Sequence, residues 1–274
     1  GSRELLGPFH KFQPGDTMEW FADRGVELKI ESDNRVFPVT DSSQTIIDCL
    51  KEMAATNGIE VLTSSGVKSF RSLEGYRWEV VTNAGHAYDC DALMMAPGSS
   101  KAMWDGLKKL GHKIIEPVPS LFTFNIKDTR LKGLSGISMP HANIQIAASD
   151  LEVEGPLLIT HWGLSGPAVL RLSAWGAREL SDRFYRFPIL INWLGRDEEE
   201  VLDLLSDEKK DSGKKRLGNH AMFDIPLRLW KSMVEAAGIK STATWGDISS
   251  KELKALCSEL TCAVFQVTGK STFK

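Results

Sequence analysis

Three short segments carry residue types whose spacing could do chemistry. Pro97-Gly98-Ser99-Ser100 lies between an apolar run, 92–96, and a helical pattern bearing Met103, Trp104, Leu107 and Leu110. A glycine turn there would bring a strand end and a helix N-terminus to one point, where free N–H groups and the positive end of the helix dipole suit a phosphate. An ordinary strand-to-helix turn has the same local sequence. Thr160-His161-Trp162-Gly163-Leu164-Ser165-Gly166-Pro167 puts an imidazole and an indole on a glycine-bearing loop just before a second helix N-terminus. Such a loop could cradle an anion beside an aromatic wall, although a lone histidine also serves as a structural hydrogen-bonder. Arg35-Val36-Phe37-Pro38 offers a cation next to an aromatic ring and a rigid proline, after an acidic approach containing Glu31 and Asp33. A surface turn is the plainer reading of that stretch.

Several chemistries are excluded by spacing. Gly-Leu-Ser-Gly occurs at 133–136 and again at 163–166, yet neither copy is G-x-S-x-G, so no nucleophile elbow is present. His10, His86, His112, His141 and His220 are scattered without an H-x-x-x-H or carboxylate spacing, and Cys49, Cys90, Cys257 and Cys262 include no C-x-x-C; no metal site is expected. Among 23 glycines no two are separated by a single residue, so the chain contains neither G-x-G-x-x-G nor a P-loop. By itself it is not expected to hold a dinucleotide strongly.

The elements that must position these segments are set in an ordinary globular composition: 274 residues, 42% hydrophobic and 25% charged, with a net charge of -3. The balance leaves no global basic field for nucleic acid or anionic lipid, and the run Lys209–Lys210 with Lys214–Lys215–Arg216 is interrupted by Asp211, Ser212 and Gly213, as in a solvated loop. No apolar run approaches the roughly 20 residues of a membrane span, no signal peptide pattern opens the chain, and four reduced thiols point to the cytoplasm. Neither nucleic acid nor a membrane is thus expected as a partner.

The first part reads as α/β. A helix over 17–24 is closed by Gly25, and short extended pieces follow at 26–30 and 35–39. Asp41 and Gln44 have capping-box spacing for a helix with the stripe Ile46, Ile47, Leu50, Met53 and Ala54, which Gly58 ends before a strand at 59–62. From 66 the period becomes two: strands at 67–71, 76–82 and 86–89 form a small meander that feeds 91–96, apolar on both faces like a central parallel strand. After Pro117 and Pro119 the pattern turns to β, with strands at 121–126, 136–139, 142–147, 157–160 and 187–193 around a helix opening at Ser165-Gly166-Pro167. Helices at 198–205, 226–237 and 250–260, the last with a Ser249/Glu252 capping box, then precede a final strand at 263–268.

Arg3-Glu4-Leu5-Leu6, Glu19-Trp20-Phe21, Arg24 to Lys29, Arg35 to Ser43, Leu110 to Ile114, Pro119 to Phe122, Leu134-Ser135-Gly136, Thr160 to Ser173 and Phe265 to Gly269 occur in one order along nearly the whole chain. Together they resemble the BaiN-type flavoproteins, NAD(P)/FAD-dependent oxidoreductases with aminoacetone oxidase-like members. The resemblance implies an incomplete FAD-binding α/β domain of the glutathione-reductase type over 1–118, a β-barrel-like domain over 119–196 and 263–274, and a helical insertion over 197–262. It also places the dinucleotide fingerprint upstream of the point matching Arg3, and a glycine-rich return segment after the point matching Lys274. The resemblance thus implies that the chain is the middle portion of a longer flavoenzyme with a small-molecule substrate, inactive alone, with FAD absent or weakly bound and NAD(P)H a candidate second cofactor of the intact protein.

In that picture Gly98 and Ser99 approach the FAD phosphates, although Ala96-Pro97-Gly98-Ser99 stands where relatives carry Ala-Thr-Gly-Gly, and proline removes a donor. Val67 matches the place where such folds meet the adenine through backbone atoms. Arg35, Phe37 and Pro38, with His161, Gly163, Ser165 and Gly166, would face the flavin ring or substrate. No spacing fixes a catalytic acid or base. Two rivals are a non-enzymatic partner-binding module derived from such a flavoprotein, and a hydrolase using Ser165 with His161, which lacks an orienting carboxylate nearby.

Overall fold

The computed structural model describes residues 2–31, 34–240 and 242–271. The chain divides into two compact units, Gly1–Ile114 and Ile115–Lys274. Asp33 of the acidic approach, and the last three residues expected to end the barrel-like domain, lie outside the described residues.

Unit 1 contains α1 (Ser2–Lys11), α2 (Pro14–Ala22), β1 (Leu28–Ile30), β2 (Val36–Pro38), α3 (Ser43–Thr56), β3 (Val67–Ser72), β4 (Trp78–Thr82), β5 (Ala87–Cys90) and α4 (Lys101–Lys109). β1 pairs with β2, and β3–β4–β5 form the expected meander. The cap of α3 differs from expectation. Ser42 is the N-cap, its Oγ accepting from the Gln44 N–H at 3.3 Å, while Asp41 sits one residue earlier in the left-handed region (φ 53) and its carboxylate bonds Lys29 Nζ at 2.9 Å. Residues 59–62 and 91–96 form no strand, and Met94 is 90% exposed. A central parallel strand is held by ladder hydrogen bonds on both sides. Among the described residues every pairing in unit 1 is antiparallel and none includes 91–96, so this apolar run has no strand to pair with.

The energetic consequence is plain. Among the described residues the buried apolar side chains of unit 1 are Val26, Pro38, Cys49 and Met103, whereas Leu50, Ile59, Val61 and Leu62 remain exposed. So thin a core offsets less of the chain entropy of ordering than a full one does.

Unit 2 has a real core. β6 (Thr123–Ile126), β7 (Ser138–Ile146), β8 (Glu152–Thr160), β9 (Gly163–Ser165), β10 (Phe187–Asn192) and β11 (Ala263–Ser271) close a barrel in the order β10–β11–β6–β9–β8–β7, all antiparallel. Alternation dictates what points inward: Ile144 and Ile146 from β7, Leu157 and Ile159 from β8, Ile189 and Ile191 from β10, Phe265 and Val267 from β11. α5 (Pro167–Trp175) and α6 (Ala177–Asp182) follow β9. Between β10 and β11 come α7 (Glu198–Asp211), α8 (Leu227–Ala236) and α9 (Ser250–Thr261), so the expected loop at Lys209–Asp211 is helix instead. The Ser249/Glu252 box forms: Ser249 Oγ accepts from the Glu252 N–H at 3.2 Å and Glu252 Oε2 from the Ser249 N–H at 2.8 Å. Trp230, Trp245 and Leu256 from this helical segment join the barrel residues in one continuous core.

The contrast between the units predicts their exchange behaviour. Amides of β7, β8, β10 and β11 are expected to exchange at least about 100-fold more slowly than those of unit 1, corresponding to about 3 kcal/mol in opening free energy. Hydrogen–deuterium exchange read by mass spectrometry checks this; equal protection in the two units would contradict it.

Candidate functional site

The expected site residues fall into separate groups. In unit 1, Val67 and the stretch 93–97 line one cleft of ≈ 270 Å³ with Phe70, Val80 and Met103, a predominantly apolar space. Gly98 follows at φ 58, and a Cβ built there meets nothing within 4 Å. Ser100 is the N-cap of α4 with no side-chain hydrogen bond to the first turn, so the turn's donors are not satisfied by a cap. Ser99 beside it is exposed.

Arg35, Phe37 and Pro38 do not act as one surface, because alternation along β2 separates them. Pro38 is buried and with Val36 lines an apolar cleft of ≈ 550 Å³ formed with Phe9, Phe12, Met18, Phe21, Leu28 and Ile46. Phe37 is absent from that lining, and its ring lies 5.3 Å from the Arg35 guanidinium carbon.

In unit 2, the segment around His161 is more ordered than a loop. Gly163, Leu164 and Ser165 form β9, pairing with β6 and β8, and only His161 and Trp162 turn. Gly163 has φ 146, and a Cβ there would press on the Phe124 carbonyl O and lie 2.6 Å from Ile126 N. Gly166 has φ 98 with the Pro156 carbonyl 2.8 Å from the equivalent point. Both glycines are thus required by close backbone approach of neighbouring strands. Ser165 is paired into the sheet opposite Leu158, and no hydrogen bond joins it to His161 among the described residues, so the hydrolase arrangement is not formed.

His161 and Gly163 do open onto a large space. A cleft of ≈ 1020 Å³ lies where β6 ends, β8 turns into β9 and β11 bulges between Val267 and Gly269. The extra residue of that bulge, Thr268, donates its hydroxyl to the Asn125 carbonyl at 3.1 Å. Lys127, Lys132 and Arg186 line the cleft, and none of the three forms an ion pair among the described residues. The acidic lining residue, Asp128, is already neutralised: Arg130 donates from Nε to Oδ1 at 3.0 Å and from Nη2 to Oδ2 at 2.8 Å. That hydrogen bonding holds the Asp128 carboxyl below its ordinary range, against burial that raises it. Trp162 supplies the aromatic wall, 44% exposed, with its ring centroid 6.4 Å from that of His161. The Trp162 Nε1–H donates to Thr123 Oγ1 at 3.3 Å, and Ile126 N–H donates to the Trp162 carbonyl at 2.8 Å, so ring and backbone are both anchored. Asn125 Oδ1, also in the lining residue set, is buried without a partner.

Lys127, Lys132, Asn125, Arg186 and Thr268 were not legible as site residues. They come from three sequence regions that only barrel closure brings together. The four cysteines are all free, and Cys257, pushed up to about 11 by burial, is a poor nucleophile. No helix among the described residues is long and apolar enough to cross a membrane.

Residues 118–274 match the family of the HI0933-like protein barrel and H2TH domain. The ribosomal RNA dihydrouridine synthase of Haemophilus influenzae is 25% identical over 254 residues, covering 88% of this chain and 60% of that protein. The ribosomal RNA dihydrouridine synthase of Escherichia coli is 26% identical over 256 residues, covering 85% of this chain and 58% of its own length. The chain therefore spans about 60% of the length of these relatives.

Proposed function

The chain belongs to the HI0933-like family, one of the flavoprotein superfamily, and on that premise we propose that it is the middle portion of an FAD-dependent oxidoreductase. The observation that carries the reading is the closed barrel with a cation-rimmed cleft at one end, in the part of the chain that matches the family. The substrate class is drawn from the relatives, both named for dihydrouridine synthesis in ribosomal RNA. They favour reduction of a uracil over the aminoacetone oxidase-like chemistry of the BaiN-type resemblance. A near-neutral net charge argued against nucleic acid, but the three unpaired cations sit locally in one cleft.

Unit 1 fits the adenine and phosphate end of FAD. The apolar cleft at Val67 and Pro97 suits a flat ring, and the open space at Gly98 with the uncapped N-terminus of α4 suits a phosphate. Among the described residues of this unit no strands pair in parallel, and its sequence has no G-x-G-x-x-G, in keeping with a thin core and an expected weak hold on the cofactor. When bound, FAD supplies the two-electron redox chemistry. This chain's residues supply position: Lys127, Lys132 and Arg186 draw an anionic substrate to the barrel, Trp162 offers a flat apolar face, and His161 beside it has an imidazole able to hold or pass a proton.

Reading the coding DNA on both sides of this chain tests the proposal. An upstream strand followed by G-x-G-x-x-G, a downstream glycine-rich return, and a purified full product with the visible absorbance of bound flavin are expected. A full product that takes up no FAD would overturn it.

A further inference from the structure

We infer that the barrel cleft is a binding site for single-stranded polynucleotide, with Trp162 as a base-stacking platform and Lys127, Lys132 and Arg186 as contacts to the phosphates. The inference rests on the reading of RNA as substrate and adds where on this chain the strand lies and in what form. Three observations carry it. The cleft is lined by three cations without an acidic partner among the described residues, whereas the neighbouring Asp128 is consumed by Arg130. Like charges facing one cleft give it a positive potential that an extended polyanion can neutralise. Secondly, the indole of Trp162 is exposed yet held from both ends, by Thr123 Oγ1 on its Nε1–H and by Ile126 N–H on its carbonyl. Thr123 Oγ1 is itself tied to the Ser271 carbonyl at 3.2 Å. A pre-oriented ring loses little side-chain entropy on binding, which is what a stacking platform needs.

The third observation is size and form. At ≈ 1020 Å³ the cleft exceeds what one small anion fills, and it is an open groove in a barrel mouth. A duplex hides its base faces inside the stack, so an aromatic platform beside cations selects a single strand with splayed bases.

The test uses the whole 274-residue chain, without flavin, and a fluorescently labelled single-stranded oligouridylate read by anisotropy. With about three phosphate contacts, log Kd should vary with log salt with a slope of magnitude about 2. Trp162→Ala is expected to weaken binding by about 5- to 100-fold, while Trp162→Phe, which keeps a ring, stays close to the parent. Lys127→Gln combined with Lys132→Gln, both exposed and outside the core, should lower the salt slope by about 1.4. Comparison arms with a duplex of equal length, with UMP and with orthophosphate should all bind more weakly. Equal binding of duplex, an oligomer no tighter than UMP, or affinity and salt slope unmoved by either set of variants would overturn the inference. Because no flavin is involved, that failure leaves the flavoenzyme reading standing, and a flavin-free full product would leave this result standing.

Discussion

Gly163→Ala is expected to destabilise unit 2 by about 3–5 kcal/mol, at the upper end of what one added methyl does, because the new group meets backbone on a strand that cannot retreat. The equivalent Cβ would press on the Phe124 carbonyl O and lie 2.6 Å from Ile126 N, and the residue holds φ 146, which strains any L side chain. β9 is only three residues long and bridges β6 to β8, so moving it opens the barrel. Urea unfolding monitored by tryptophan fluorescence checks this, with Gly213→Ala as a control whose Cβ meets only the Lys209 carbonyl at 3.7 Å. Equal stability of the two variants would contradict the role given to Gly163.

Arg130→Ala should cost about 2–3 kcal/mol, since it removes the shared donor of a partly buried ionic cluster and leaves two carboxylates without their partner. The guanidinium binds Asp128, donates from Nη1 to Glu259 Oε2 at 2.8 Å and to the Val264 carbonyl, and lies 3.9 Å from the centre of the Phe265 ring. It thereby ties the turn after β6 to α9 and β11, and Ser232 of α8 donates to its carbonyl at 2.7 Å. The folded carboxyl of Asp128 titrates below the unfolded value of about 3.9. Its contribution is therefore complete above that value and is lost as pH falls through the lower folded value. In the parent, stability should fall over that acid range, and Arg130→Ala should flatten the fall. A variant within about 0.5 kcal/mol of the parent, with an unchanged acid limb, would show the cluster to be ornamental.

Unit 2 was the more legible half. Period-two apolar patterns at 142–147, 187–193 and 263–268 became β7, β10 and β11, because an antiparallel barrel with one face inward writes alternation into the sequence. The Ser249/Glu252 box and the helices of α7 to α9 were visible for the same local reason. The segment that forms β9 carries no strand signal in the sequence, since three residues beginning with a glycine at positive φ have little strand propensity. The misread strands at 59–62 and 91–96 show the opposite failure. Their apolar sequences promise a buried sheet, but burial requires neighbours, and none among the described residues pairs with them. As for the site, His161 and Trp162 stood out as types on one short segment, while Lys127, Lys132 and Arg186 are unremarkable surface cations until β6, the β8–β9 turn and β10 converge.

The most direct test of the flavoenzyme account is anaerobic single turnover by the full gene product. Pre-reduced with dithionite and mixed with uridine-containing single-stranded RNA, it should regain the oxidised flavin spectrum while the RNA gains two hydrogens per reacted uridine, read by mass spectrometry. A flavin-bearing product that leaves the RNA unchanged, in the presence of the intact barrel cleft, would contradict it.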